Sequence, residues 1–67
     1  MRIDRVKLIA EMARQDLTVK SLAEKSGVSR LTLTNVRGGK SCAESTGKAI
    51  ARALGVPVES IIEEVAK

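Results

Sequence analysis

The sequence predicts an all-α domain built from five helices, on the strength of three observations. Apolar residues recur three or four positions apart, and they nowhere alternate with polar residues over the length of a strand. Glycine follows the second, third and fourth apolar segments, where it favours the end of a helix. The chain has 67 residues and no repeat, linker or low-complexity stretch, so residues 1–67 form one domain.

The first helix is predicted over residues 4–15, with Asp4 as its N-cap. Its apolar residues are spaced as one broad stripe, which we expect to face the core. The members of this stripe are Ile3, Val6, Leu8, Ile9, Met12 and Ala13.

The next two helices are short and are separated by a tight turn. The second is predicted over residues 19–26, after the N-cap Thr18 and before Gly27. The third is predicted over residues 30–37, between the N-cap Ser29 and the Gly38-Gly39 pair. The inward positions are Leu22 and Ala23 on the second helix, Val28 in the turn, and Leu33 and Val36 on the third.

The last two helices are predicted over residues 43–54 or 45–54 and over residues 58–66. Ile50, Ala53 and Leu54 form the apolar stripe of the fourth helix. Gly47 lies inside that helix at a cost of about 1 kcal/mol relative to Ala, so either another helix packs closely there or the helix begins later. Pro57 suits the entry to the fifth helix.

The residue types that are missing exclude several classes of protein. The chain has no Phe, Trp or Tyr, so its core is aliphatic and bases cannot stack on aromatic rings. It has no His and a single cysteine, Cys42, which excludes a disulfide within the chain and a Cys/His zinc site. Histidine is the usual acid–base catalyst and the usual partner of a catalytic thiol, so we expect no enzyme activity and no cofactor. No apolar run approaches the length of a membrane span and no export signal is visible, which together with one free thiol favours the cytoplasm.

The charge is distributed unevenly along the chain. Residues 1–40 carry nine Lys or Arg and four acids, whereas residues 41–67 carry three Lys or Arg and four Glu. A basic region of this kind is typical of a protein that binds an anionic partner such as nucleic acid. A solvated surface of mixed charge is the alternative.

Residues 22–39 predict a helix-turn-helix unit. Gly27 supplies the unusual backbone turn, Val28 fills the corner, and Leu33 and Val36 anchor the second helix of the unit from below. A helix that is held from behind in this way and carries long polar groups outside fits the major groove of DNA.

Two blocks of the sequence together resemble the Cro/cI (XRE-type) family of phage and bacterial helix-turn-helix regulators. They are LTVKSLAEKSGVSRLTL at residues 17–33 and AIARALGVPVESII at residues 49–62, and the resemblance extends over roughly residues 5–65. It implies a compact, lambda-repressor-like bundle of five helices whose third helix recognises DNA. The chain departs from the family where an ion pair often joins the first and third helices, because Met12 and Arg37 stand there. Arg37 is then free for a phosphate.

This resemblance implies two kinds of contact with DNA. Arg30 can bind guanine and Asn35 can pair with adenine, while Leu31 and Thr34 are suited to a thymine methyl group. Phosphate contacts are expected from residues around this face, which are Thr18, Lys20, Ser29, Thr32, Arg37, Gly39 and Lys40.

The fifth segment is richer in apolar residues than the docking of one short helix requires. Ile61, Ile62 and Val65 are therefore expected to form a homodimer contact, which would place two recognition helices about 34 Å apart on a two-fold site. The alternative is that they close the core of the monomer.

We therefore expect a transcriptional regulator, in the first place a repressor, that binds a specific double-stranded operator as a homodimer. An antitoxin or mobile-element regulator that also binds a partner protein is consistent with the same sequence. An interaction module that does not bind DNA is the third possibility.

Overall fold

The computed structural model describes residues 1–63, and this part of the chain folds into four α-helices followed by a short 3₁₀ turn. The helices agree with the predicted ones to within about one residue at each end. They are α1 (Arg5–Arg14), α2 (Val19–Ser26), α3 (Arg30–Arg37) and α4 (Glu44–Leu54), and the turn is Val58–Ser60. None of these helices is long and apolar enough to cross a membrane.

The N-caps predicted for the first three helices are confirmed. Asp4 Oδ1 accepts hydrogen bonds from the N–H groups of Val6 and Lys7, at 2.9 and 3.2 Å. Thr18 Oγ1 and Ser29 Oγ each accept one from the N–H group three residues later, both at 3.1 Å. These bonds satisfy donors that have no partner inside a helix, and so they define where each helix begins.

Left-handed residues end α1 and α4 in the same way. Gly55 follows α4 with a φ of 71°, and Asp16 lies beyond α1 with a φ of 57°. In both cases the next residue donates to a carbonyl five positions earlier, Leu17 to Met12 at 2.8 Å and Val56 to Ala51 at 3.1 Å. This is the Schellman arrangement, in which glycine is the usual left-handed residue.

The prediction of a fifth α-helix over residues 58–66 is wrong for the part that the structure describes. Only Val58–Ser60 is helical, as a single 3₁₀ turn. Ile62 instead pairs with Ile3 in an antiparallel bridge. The physical reason is that segment 61–63 bonds to segment 2–4, with Asp4 N–H donating to Ile61 O at 2.8 Å and Glu63 N–H donating to Arg2 O at 2.9 Å. The remainder of the predicted helix lies outside the described residues.

The core is aliphatic, as predicted, and includes most of the expected inward residues of α2, α3 and α4, whereas Ala23 and Ala53 are only half-buried against it. Its buried members are Ile3, Leu8, Met12, Leu22, Leu33, Val36, Ile50, Ala51, Leu54 and Ile61. Another part of the chain does pack closely on Gly47, because a Cβ there would overlap Met1 Sδ. The neighbour is the N-terminal segment and not, as expected, a helix.

The broad apolar stripe predicted for α1 is only partly buried. Leu8 and Met12 lie in the core, whereas Val6 is 67 % exposed and Ile9 is 37 % exposed. Successive residues are turned by about 100° around a helix, so a stripe this wide spans more of the helix than one packed side can cover. In residues 1–63, α1 packs on one side only, which leaves the other apolar positions at the surface.

Candidate nucleic-acid interface

The helix-turn-helix unit consists of α2, α3 and the turn between them. Gly27 ends α2 with a φ of 75°, which is a left-handed conformation that suits glycine. Val28 is half-buried against the core, and its N–H donates to Ser26 Oγ at 3.1 Å. Ser29 caps α3 directly afterwards. The angle between α2 and α3 is therefore set by the three consecutive residues Gly27, Val28 and Ser29.

The third helix is anchored on one side and open on the other. Leu33 and Val36 are each 1 % exposed, whereas Leu31 on the opposite side is 72 % exposed. Arg30 and Thr34 are exposed as well, and Asn35 is half-buried. The four residues predicted to contact bases thus lie on the surface of one eight-residue helix that the core holds in place.

Hydrogen bonds within α3 decide which polar groups remain available. Thr34 Oγ1 donates to Arg30 O at 2.8 Å, so it presents its methyl group and its acceptor lone pairs to the outside. Within the described residues, the side chains of Arg30 and Asn35 have no hydrogen-bond partner in the protein. Their donors are therefore free for a ligand.

The hydroxyl groups of Ser29 and Thr32 act as a pair. Ser29 Oγ donates to Thr32 Oγ1 at 2.8 Å and accepts from Thr32 N–H at 3.1 Å. Because the hydrogen of Ser29 is used in this way, the hydrogen of Thr32 is the one left to donate. Of the two residues predicted to contact phosphate, Thr32 is therefore the better placed donor.

The loop after α3 was expected to contact phosphate through Gly39 and Lys40, but the backbone amides of both residues make hydrogen bonds within the protein. Gly39 N–H donates to Val36 O and Lys40 N–H donates to Asn35 O, both at 3.0 Å. These bonds close the last turn of α3, whose carbonyls would otherwise have no partner. A phosphate contact in this loop would depend on the exposed side chain of Lys40 and not on the amide of Gly39.

Residues from three helices line one surface cavity of about 320 Å³ beside the helix-turn-helix unit. Thr18 and Val19 belong to the start of α2, and Arg37 belongs to the end of α3. Met12 of α1 and Arg37, the residues that stand where an ion pair often joins the first and third helices, line the same cavity. The start of α2, where N–H groups have no partner inside the helix, and Arg37 thus border the same cavity, and the side chain of Lys20 is exposed.

One basic residue near this surface was not predicted as part of it. Arg5 lines a second cavity of about 280 Å³ together with Thr34, Arg37 and Gly38. The signal was present in the sequence, because Arg5 precedes Met12 by seven residues and so lies on the same side of α1.

Within residues 1–63, the cations of this surface have no acidic partner. The ion pairs found in residues 1–63 join Arg2 to Glu63 at 3.5 Å and Arg14 to Glu11 at 2.7 Å. Neither involves Arg30, Arg37 or Lys40, which are exposed. Positive charge next to α3 is therefore not neutralised by the described part of the protein.

The three residues predicted as dimer contacts have different surroundings. Ile61 is 0 % exposed and belongs to the core of the monomer, so it is not available to a partner in this conformation. Ile62 is half-buried and lines a cavity of about 420 Å³ with Met1, Arg2 and Glu63. Val65 lies outside the described residues.

Residues 3–62 match the sequence profile of a family described as winged helix-turn-helix DNA-binding. The match supports a helix-turn-helix DNA-binding domain, and it does not specify the narrower Cro/cI group. In residues 1–63 no β-hairpin wing follows α3, and the bridge between Ile3 and Ile62 is the isolated pairing seen there. No curated protein matches the chain.

Solved structures of larger proteins contain a domain with the same fold. A variant of hydroxyethylphosphonate dioxygenase superposes with a TM-score of 0.87 at 25 % identity, covering 100 % of this chain and 15 % of that one. PhpD with cadmium superposes with a TM-score of 0.84 at 24 % identity, with the same coverage of both chains. This chain therefore corresponds to a small part of those proteins.

Proposed function

Because this chain belongs to the family of winged helix-turn-helix DNA-binding domains, we propose that it is a transcriptional regulator that recognises a specific double-stranded site. The observation that carries the proposal is the third helix, which is anchored by Leu33 and Val36 and has unoccupied polar groups outside. Helices held in this way place their side chains in the major groove of DNA.

Sequence would be read by two side chains of α3. Arg30 binds guanine through a pair of donors, and Asn35 binds adenine with one donor and one acceptor. Leu31 and the methyl group of Thr34 lie between them on the same outward face, where they contact thymine methyl groups.

Phosphate contacts on either side of the groove would hold α3 in register. Thr18 and Arg37 line one cavity, which supports a phosphate at the start of α2. The exposed side chains of Lys20 and Lys40, together with the free hydroxyl hydrogen of Thr32, extend the contacts along the backbone. Contacts of this kind position the protein without reading sequence.

The narrower parts of the proposal concern assembly and the direction of regulation. We propose a Cro/cI-like repressor that acts in the cytoplasm as a homodimer on a two-fold operator. The half-exposed Ile62 supports a dimer contact at that edge. No ligand or cofactor is needed for this mode of binding.

We also propose that this chain binds and does not catalyse. Two of the similar structures are named as a dioxygenase and as a cadmium-bound protein, but the match covers 15 % of each of those chains.

The test is a selection of binding sites from random duplexes, followed by titrations of two variants on the selected site. Arg30→Ala should weaken binding by about 1–3 kcal/mol and relax specificity at one base pair. Lys40→Ala should weaken binding to all duplexes alike and reduce the slope of log affinity against log salt by about 0.9.

Two outcomes would contradict the proposal. If Arg30→Ala weakens all duplexes equally, Arg30 does not read a base. If the wild-type protein binds no duplex at low salt, the domain is an interaction module of another kind.

A further inference from the structure

The side of α1 that faces away from the core is apolar. It carries Val6, Ile9, Ala10 and Ala13, and all four residues are exposed. We refer to these four residues as the α1 outer face. Val6 and Ile9 are two of the three large apolar side chains exposed in residues 1–63, and the third, Leu31, belongs to α3.

This face continues into an apolar groove. Ile9 and Ala13 line the cavity of about 320 Å³ together with the apolar residues Met12, Leu17 and Val19. A contiguous apolar surface next to a groove marks a site where another molecule binds. The polar residues that line this cavity are Thr18 and Arg37, and the proposed phosphate contact involves them. That contact does not account for the exposed apolar side chains.

The charges along one border of the α1 outer face are positive. Arg5 lies beside Val6 in the sequence, and Arg37 reaches the same border from α3, since both arginines line one cavity with Ile9. Glu11 lies on the other side of α1, where it accepts hydrogen bonds from Arg14 and Gln15. Arg5 and Arg37 have no acidic partner in the described residues.

The apolar surface and its positive border together indicate which kind of molecule binds the α1 outer face. A second copy of the chain would bring another Arg5 and Arg37 near the first pair, and like charges across an interface are unfavourable. A partner with apolar residues on one face and acidic residues beside them satisfies both parts of the surface. The spacing of Val6, Ile9, Ala10 and Ala13 is that of one helix face, which matches the anchor spacing of a helix lying in a groove.

We propose that the α1 outer face binds an acidic amphipathic helix of another polypeptide. The ten residues of α1 are about 15 Å long, so about three turns of the partner would cover the face. Arg37 borders this face and is also one of the proposed phosphate contacts. Insofar as the proposed DNA binding holds, the partner and DNA therefore compete for Arg37.

The test is an NMR titration with a synthetic helical peptide of about three to four turns, with leucines on one face and glutamates beside them. The α1 resonances should shift, and the double variant Val6→Ser, Ile9→Ser should lose at least about tenfold in affinity.

Leu31→Ser is the matched control, because it removes the third exposed apolar side chain and should leave peptide affinity unchanged. Arg5→Gln should weaken binding of the peptide and reduce its dependence on salt. Far-UV circular dichroism checks that each variant keeps its helices.

The proposal is overturned if the glutamate peptide does not shift α1 at millimolar concentration, or if a peptide with lysines in place of the glutamates binds equally well. It is also overturned if sedimentation shows self-association that Val6→Ser, Ile9→Ser abolishes, because the occupant is then a second copy. Duplex binding by the wild-type protein is measured separately. If the wild-type protein binds the peptide but no duplex, the proposed function alone is contradicted. If the peptide binds without displacing a bound duplex, only the shared use of Arg37 is contradicted.

Discussion

Asp16 adopts a left-handed conformation in which glycine is the usual residue. Its φ of 57° is close to that of Gly55, 71°, which ends α4 with the same pattern of hydrogen bonds. A residue with a Cβ pays about 1–2 kcal/mol for this conformation, although Asp is among the residues that tolerate it best. The turn after α1 is therefore a place where the sequence is not optimal for stability.

Asp16→Gly should stabilise the fold by about 0.5–1 kcal/mol, because relief of the strained backbone exceeds the added flexibility of the unfolded chain. Gly55→Ala is the matched control and should destabilise by about 1 kcal/mol, since a Cβ there meets nothing within 4 Å and only the backbone conformation opposes it. Urea unfolding followed by circular dichroism measures both changes. An Asp16→Gly variant that is less stable than wild type would show that the carboxylate contributes more than the strain costs.

Glu11 makes stability depend on pH. Arg14 donates two hydrogen bonds to its carboxylate, at 2.9 and 2.7 Å, and these bonds lower the pKa of Glu11. A carboxyl group with a lowered pKa in the folded state contributes stability above its unfolded pKa and loses it as the pH falls. The melting temperature should therefore drop between about pH 6 and pH 3, and the drop should be smaller in Glu11→Gln. An equal drop in both proteins would assign the acid sensitivity to other groups.

Individual site residues were predictable where a side chain needed only its own helix to place it. Leu31 was expected to be exposed, and α3 exposes it. The role of Gly39 could not be predicted in the same way. Its amide donates to Val36 O, and this hydrogen bond forms only once the loop after α3 has folded. Arg5 was overlooked although its spacing of seven residues from Met12 places it on the side of α1 that borders Arg37.

At the scale of elements, the segment before α1 is held on both sides by other parts of the chain. Met1 N donates to Cys42 O at 3.0 Å, and Cys42 N–H donates to Met1 O at 2.8 Å. On the other side, Ile3 pairs with Ile62. The side chain of Ile3 is 2 % exposed, so this short segment contributes to the core as a helix does.

Ile3→Ala should destabilise the protein by about 2–5 kcal/mol, because it leaves a cavity in the core. A domain of this size has about 3–5 kcal/mol to lose, so much of the variant should be unfolded at room temperature. Val6→Ala, at an exposed position, should change stability by less than about 0.5 kcal/mol. Thermal unfolding of the two variants measures and compares their stability. An Ile3→Ala protein as stable as Val6→Ala would show that the segment is not part of the folding unit.

Helices were predictable from the sequence because their signals are local. The caps Asp4, Thr18 and Ser29 and the terminating glycines lie within a few residues of the helix ends that they define. The segment after Pro57 has an apolar pattern that also fits a helix, but in residues 61–63 the backbone bonds to segment 2–4. Partners almost sixty residues apart leave no periodic signal, so the pairing could not be predicted.

For the whole molecule, composition was informative about the core and less so about the surface. A chain without aromatic residues must bury Leu, Ile, Val and Met, and the described core consists of these residues with one Ala. Which of the apolar residues of α1 remain outside was not predictable, because it depends on how many neighbours the helix has. The net basic character of residues 1–40 likewise indicated an anionic partner without locating it, whereas the structure places Arg5 and Arg37 at one border.

The bridge between Ile3 and Ile62 has a consequence for architecture. Polypeptide attached before one residue and after the other would meet the domain at neighbouring points. A host protein would thus be able to carry the entire bundle in a surface loop, because the two junctions do not force the ends of that loop apart.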